Sequence, residues 1–297
     1  MRFRAPVFDD ARAVLELLLA RESADVGMPD DTLEEVLDEW RASDVDLAAD
    51  ARVVEAGDRA IVGYVLVRRS GTLAVVHPDH EGAGIGRRLL DWAEHRERER
   101  GRNRHRQWAA AGNERARALL TGAGYGVARS YWRMERTLDD LGADAPPPAG
   151  VRLRAVDVAR DAVPLHTLDA RSFAANPGST PESPREFREE HLEAHAFDAS
   201  LSRVAVHGEE VAGFLLAQRW EDEAVGFVDV LAVDPDHQGR GIGTALLSSA
   251  LAAFASSGLR AAQLGVDSDN PRALRIYQRA GMTVLFQYDV YERPTVA

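Results

Sequence analysis

The sequence contains no cysteine and no lysine. Without cysteine there is no disulfide framework, no thiolate-held metal and no acyl-cysteine intermediate. Without lysine there is no Gly-Lys-Ser/Thr phosphate loop. All 36 basic residues are arginine, which fits a GC-rich coding bias and says little about mechanism. Positive charge is also short. Against 48 acidic residues the formal net charge is −12, which argues against non-specific nucleic-acid binding and against an anionic membrane surface. No charged-then-apolar leader opens the chain, and no apolar run approaches the ~18 residues needed to span a bilayer. The expectation is a cytoplasmic protein without nucleic-acid or membrane partners.

What is present is a repetition. "HPDHEGAGIG" (His77 to Gly86) returns as "DPDHQGRGIG" (Asp234 to Gly243). Pro78, Gly82, Gly84, Gly86, Asn113, Gly124, Tyr131 and Glu135 recur 157 residues on, as Pro235, Gly239, Gly241, Gly243, Asn270, Gly281, Tyr288 and Glu292. Earlier in each half the offset is 150, which aligns "RFRAPV" with "RLRAVD" and "IVGYVLV" with "VAGFLLA". The second half therefore gains seven residues just before its glycine loop. A chain of 297 residues suits two domains of one type. The expected division is residues 1–140, a linker at 141–150 ("LGADAPPPAG"), and 151–297.

Each half reads as a mixture of strands and helices without strict alternation. A strand opens it, followed by helical segments such as Asp10 to Arg21 and Pro184 to His195. A strand pair leads into the glycine loop. An amphipathic helix follows, with Leu246, Leu247, Ala250, Leu251 and Phe254 at helical spacing. A strand, a helix with Pro271 in its first turn and Gly281 past its end, and a closing strand complete the half.

The loop Gln238, Gly239, Arg240, Gly241, Ile242, Gly243, Thr244 lies between a β-rich run and a helix. Glycines allow close backbone approach, and the helix N-terminus favours an anion, so the physical reading is a phosphate cradle. The spacing Gly-x-Gly-x-Gly, late in the domain, differs from the dinucleotide fingerprint Gly-x-Gly-x-x-Gly after a first strand.

Gln238, Gly241 and Gly243 instead match the acyl-CoA loop Gln/Arg-x-x-Gly-x-Gly/Ala of the GNAT superfamily of N-acetyltransferases. "DSDNPRALRIYQRAGM" resembles that family's Asn-x-x-Ala-x-x-x-Tyr helix. The resemblance covers both halves. It implies two tandem GNAT folds of α/β (mixed α+β) class, each a mostly antiparallel sheet flanked by helices, with acetyl-CoA as co-substrate. Mycothiol synthase is similar in tandem architecture; its substrate does not follow.

The resemblance further implies Tyr277 as the acid beside the CoA sulfur and Asn270 as a pantetheine partner. It implies Leu231, Ala232 and Val233 as backbone contacts along the pantetheine, with an oxyanion donor near Leu231. Asp229 is the candidate base, on a strand where Phe227, Asp229 and Leu231 would share a face by period-two alternation, with Glu221 and Glu223 on the preceding hairpin and bulk water as the alternatives. Many family members carry glutamate at the position of Phe227; here that acid is missing.

The first copy has Leu120 where the second has Tyr277, and Thr72 where it has Asp229. Glu81 replaces Gln238, which places a carboxylate at a phosphate cradle. The first half is therefore expected to be degenerate, with Gly82, Gly84 and Gly86 as a possible second CoA site. The active site is expected in the second half, transferring acetyl directly to a primary amine of a small molecule. A protein acetyltransferase acting on N-termini or lysines, and a non-catalytic acyl-CoA sensor, are the alternatives. The run "HRERERGRNRHRQW" (His95 to Trp108) reads as a solvated helix end whose Arg and Glu residues pair. His191 and His195 stand four apart with no third ligand evident, so no metal site is expected.

Overall fold

In the computed structural model, which describes all residues except 58, 142–144, 175–180 and 296–297, the two halves fold in the same order. The first comprises β1 (Arg2–Arg4), α1 (Ala11–Asp25), α2 (Leu33–Arg41), α3 (Leu47–Asp50), β2 (Ala51–Glu55), β3 (Ile61–Arg68), β4 (Gly71–Val76), α4 (Ile85–Glu99), β5 (Arg104–Ala110), α5 (Glu114–Gly122) and β6 (Gly126–Thr137). The second comprises β7 (Val151–Ala155), α6 (Val158–Phe173), α7 (Pro184–Phe187), β8 (Arg203–His207), β9 (Glu210–Trp220), β10 (Val225–Val233), α8 (Ile242–Ser256), β11 (Ala261–Asp267), α9 (Pro271–Arg279) and β12 (Thr283–Pro294). The helix expected over Pro184 to His195 is shorter. It is one turn of α-helix, then one turn of π-helix at Arg188–Leu192. Buried Phe187 and Leu192 anchor that turn.

The chain divides into two compact units: Met1–Tyr131 with Phe286–Ala297, and Trp132–Leu285. The closing strand of the second repeat thus belongs largely to unit 1, and that of the first is divided at Tyr131 and Trp132 between the two units. Strand order is β1-β2-β3-β4-β5-β12 in unit 1 and β6-β11-β10-β9-β8-β7 in unit 2. The registered ladders are antiparallel except for β4–β5 and β10–β11. Of the expected linker, residues 142–144 lie outside the described set; Ala145 donates its N–H to Ser248 Oγ at 2.9 Å within unit 2.

Each sheet is covered on both faces. In unit 2, α8 brings Leu246, Leu247, Ala250, Leu251 and Phe254 against Val228, Ala262 and Leu264. Leu165, Leu168, Phe187 and Leu192 cover the other face, against Val204, Phe214 and Leu216. Unit 1 repeats the plan, with Val14, Leu17, Val36 and Trp40 on one face and Ile85, Leu89 and Ala93 on the other. The repeated Ile-Val-Gly and Val-Ala-Gly stretches have a packing cause. A Cβ on Gly63 would lie 2.7 Å from Ile85 Cγ2, and one on Gly213 3.1 Å from Ile242 Cγ2, so glycine lets the first residue of α4 and of α8 seat on its sheet.

The arginine-rich run forms the end of α4 and strand β5, and its guanidinium groups meet acids. Arg96 pairs with Asp50 at 2.7 Å and Glu99 at 3.1 Å, Arg102 with Glu97 at 3.1 Å, and Arg106 with Glu292 at 2.9 Å.

Gly226, the second residue of β10, lies against Phe254, where an added Cβ would lie within 2.6 Å of ring atoms Cγ and Cε2. Since a packed interior resists added volume, Gly226→Ala is expected to destabilise unit 2 by roughly 1–3 kcal/mol. Thermal denaturation checks this; an unchanged melting temperature would mean that the α8 contact is loose.

Candidate active site

The hairpins β3–β4 and β9–β10 are where the copies diverge. In unit 1 the register runs without interruption from Arg68↔Gly71 to Gly63↔Val76. In unit 2 it slips. Val228 faces Ala217, Val230 faces Leu216, and Asp229 has no partner. Asp229 is the extra residue of a β-bulge, a feature that re-aims a side chain and bends its strand.

The ladders also show which residues correspond. Thr72 pairs with Val67 and Gln107; Val228 pairs with Ala217 and Leu264. These partners are related by the repeat's own offsets. So Thr72 corresponds to Val228, and Asp229 has no counterpart in unit 1, which corrects the equivalence of Thr72 with Asp229. One of the seven additional residues is this bulge; the others lengthen the hairpin. Thr72 is fully buried and lies 2.9 Å from His105 Nε2.

The bulge also overturns the expected face sharing. Val228 packs with the α8 cluster, while Val230 and Ala232 pack with the α6 cluster. Leu231 and Val233 accordingly lie on the α8 side, away from Phe227 and Asp229. Phe227 stacks on Trp220 with centroids 4.6 Å apart, and Arg133 lies over its ring. Phe227 is therefore part of an aromatic stack.

Registered pairing of β10 with β11 ends at Val228↔Leu264. Beyond it Asp229 to Val233 keep an edge unpaired with β11, and the loop Gln238–Gly241 follows. Gly239 (φ +77°) and Gly241 (φ +89°) adopt the left-handed region, and Gly241 caps α8. Gly243 is buried, and a Cβ there would meet Ile276 Cδ1 at 3.2 Å. Ile242 is a core side chain, so only its backbone could serve a ligand. Arg240 and Thr244 are exposed. Gln238 donates to the carbonyl of Val233 at 3.1 Å and accepts from Arg272 of α9.

On α9, Asn270 caps the helix with its side-chain oxygen, 3.0 Å from Ala273 N. Tyr277 lies in the α8 cluster, 7% exposed. Burial pushes its hydroxyl up to about 12, so it stays protonated at neutral pH.

Asp229 meets a group that the sequence reading weighed only as a metal ligand. His191, on the π turn, places Nδ1 2.6 Å from Asp229 Oδ2 and Nε2 3.4 Å from Glu182 Oε2. Its ring lies 5.1 Å from that of Phe187. Burial draws the imidazole pKa down, but the charge and hydrogen bond of Asp229, then Glu182, raise it well above the usual value. Asp169 of α6 is pushed up to about 6, by burial first and against the pull of His191. Glu182, Glu190 and His191 each offer a donor atom within 4.8 Å of the others; Nδ1 is already engaged by Asp229. Nothing in the sequence links His191 to Asp229 across 38 residues.

Unit 1 keeps a cradle of its own. Gly82 (φ +76°) and Gly84 (φ +80°) repeat the glycine conformations. A cavity of about 630 Å³ is lined by Leu73–Val76, Gly82, Gly84, Gly86, Gln107–Ala110, Asn113 and Leu120. Glu81 is bridged by Arg21 at 2.7 Å and Arg115 at 3.2 Å. Its charge is thus compensated, in contrast to the repulsion expected from sequence. Asn113 differs from Asn270, because its amide donates to Asp25 at 3.2 Å.

The fold, the parallel strands whose registered pairing stops at Val228, and the glycine-capped helix define a class that the comparisons identify. "Acetyltransferase (GNAT) family" matches residues 165–282, and "Acetyltransferase (GNAT) domain" matches 49–125. The chain belongs to the GNAT family as a tandem-domain, acetyl-CoA-dependent N-acetyltransferase. It is 34% identical over 241 residues to a mycothiol acetyltransferase of Actinosynnema mirum, covering 78% of this chain and 80% of that one. The mycothiol acetyltransferase of Salinispora arenicola is 31% identical over 291 residues, 93% and 92% of the two chains. A GCN5-related N-acetyltransferase from Sphaerobacter thermophilus superposes with a TM-score of 0.81 at 29% identity, covering 100% and 96%. A tandem GNAT protein of the clavulanic acid biosynthesis pathway shares the fold, with a TM-score of 0.78 at 17% identity, covering 100% and 99%. Among the described residues no helix is long and apolar enough to cross a membrane.

Gly84 and Gly241 form a matched pair, since both cap a helix with positive φ and a side chain at either carries the same backbone strain. Gly241→Glu is expected to abolish turnover, and Gly84→Glu to keep most of it. Acetyl-CoA turnover with circular dichroism of both variants checks this. Equal loss in two folded variants would contradict a single working cradle.

Proposed function

We propose that this enzyme transfers acetyl from acetyl-CoA to a primary amine of a small molecule, and that the transfer takes place in unit 2. The observation that carries the reading is the bulge, which among the described residues gives the hairpin of unit 2, and not that of unit 1, a carboxylate just past the point where registered pairing of β10 with β11 ends. The mycothiol acetyltransferase relatives support a small-molecule acceptor. The acids around Asp229 suit an acceptor that arrives as an ammonium ion.

In this reading the pyrophosphate lies on Gln238 to Thr244, where the first N–H groups of α8 have no partner within the helix. Asn270 and the backbone of Leu231 to Val233 hold the pantetheine arm. Asp229 receives the ammonium and accepts its proton. The free amine attacks the thioester carbon, a C–N bond forms, and a backbone N–H near Leu231 supports the oxyanion. As the C–S bond breaks, the nitrogen sheds its second surplus proton. One proton ends on the CoA sulfur through Tyr277, and one in solvent. In unit 1 the cavity around Gly82, Gly84 and Gly86 is a second CoA site without transfer chemistry, because Leu120 stands at the acid position and no bulge carboxylate exists.

Tyr277→Phe is expected to keep acetyl-CoA affinity and to lower kcat by ~10²-fold, the scale of general-acid catalysis. Wild-type turnover by the Phe variant would reduce Tyr277 to packing. Asp229→Asn is expected to lose most activity near neutral pH and to recover part of it in alkali, where free amine is abundant. A pH–rate profile of unchanged shape, with a lowered melting temperature, would remove Asp229 from the chemistry.

A further inference from the structure

We propose that His191 is a positioning residue of the transfer reaction, holding the bulge carboxylate in place and setting the charge of the acceptor site. The inference rests on Asp229 handling the amine. As the extra residue of a bulge, Asp229 has no rung opposite it to hold it in the β9–β10 ladder. The direction of its side chain then depends on what the carboxylate bonds to. His191 supplies that bond from Nδ1 to Oδ2 at 2.6 Å. The ring is itself fixed, flanked by Phe187 at 5.1 Å and carried on a π turn anchored by buried side chains. With Oδ2 engaged by His191, Oδ1 is the oxygen that would meet an ammonium. Support of this kind holds a reacting group within the tolerance that chemistry needs.

The same contact couples the site to pH. The groups around the imidazole are Asp229 from β10, Glu182 from the segment before α7, Asp169 and His166 from α6, and Glu190 beside it on the turn. Asp229 and Glu182 hold the ring protonated at neutral pH, against burial. The imidazolium then offsets part of the carboxylate charge. As pH rises through the raised pKa, the proton facing Glu182 leaves while the Nδ1 proton stays on Asp229. Orientation persists, the site loses one positive charge, and its affinity for an ammonium ion increases. The kcat/KM profile should therefore carry an alkaline limb that belongs to the enzyme. A limb due to the acceptor moves with the amine's own pKa; this one does not.

The test compares wild type, His191→Asn and His191→Ala with two acceptor amines of different pKa. Asparagine retains an N–H donor toward Asp229 but does not titrate; alanine removes both. Alanine is expected to lower kcat roughly 10- to 100-fold, the scale on which orienting partners act, with the KM for acetyl-CoA unchanged. Asparagine is expected to restore most of kcat near neutral pH and to lack the amine-independent limb. If both variants keep wild-type kcat and profile shape while melting earlier, His191 is packing and the inference fails. If the wild type loses activity to a chelator and regains it with a divalent cation, the imidazole is a metal ligand and the inference also fails. Should His191→Ala not fold, the asparagine variant and the two-amine profile still decide. An unaltered Asp229→Asn enzyme would overturn the underlying reading instead, so the two failures are distinguishable.

Discussion

Between Val228 and Val230 the antiparallel ladder gains one residue on one strand, and the asymmetry of the molecule grows from that slip. Upstream, Val228 faces α8; downstream, Val230 and Ala232 face α6. A strand cannot reverse its faces without an unpaired residue. Here that residue is an aspartate. An ionised side chain at a half-buried position requires compensation, which His191 supplies from a turn that the chain reaches 38 residues earlier. Bulge, carboxylate and imidazole form one arrangement, since removing any of them leaves another without its physical reason.

Unit 1 shows the same scaffold without the slip. Its hairpin is shorter, its ladder is uninterrupted, and Thr72 is buried against His105. Its cradle nevertheless survives. The glycine conformations are retained, and Glu81 is neutralised by two arginines. Duplication has thus left one copy with a described cavity and the other with the bulge carboxylate.

Much of this was legible in the sequence, because it rests on local constraints. The glycines of the two loops, Pro271 in the first turn of α9 and the apolar stripe of α8 leave marks at fixed spacing, whereas the capping role of Asn113 and Asn270 emerged only in the structure. The change of offset from 150 to 157 located the divergent hairpin. The bulge itself was not legible, because one extra residue in a strand of ordinary composition changes register and nothing else. Counting back from the glycine loop therefore matched Thr72 to Asp229. The passage of the second repeat's closing strand to unit 1 is equally silent, since colinear repeats look the same whichever sheet the last strand joins. His191 was hidden because its partner is set by tertiary packing, and because a π turn removes the four-residue spacing that made His195 its apparent companion.

In the proposed mechanism acetyl transfer occurs beside Asp229. The absence of cysteine allows a direct test, because a single introduced thiol is unique in the chain. Asp229→Cys would be treated with bromoacetyl-CoA, whose bromide a nearby thiolate displaces to leave a stable CoA adduct readable by mass spectrometry. Val163→Cys, at a position 74% exposed on α6, serves as the reference. The expected result is saturable labelling at residue 229, faster than at residue 163 and suppressed by acetyl-CoA. Labelling at residue 229 no faster than at residue 163, and indifferent to acetyl-CoA, would contradict it.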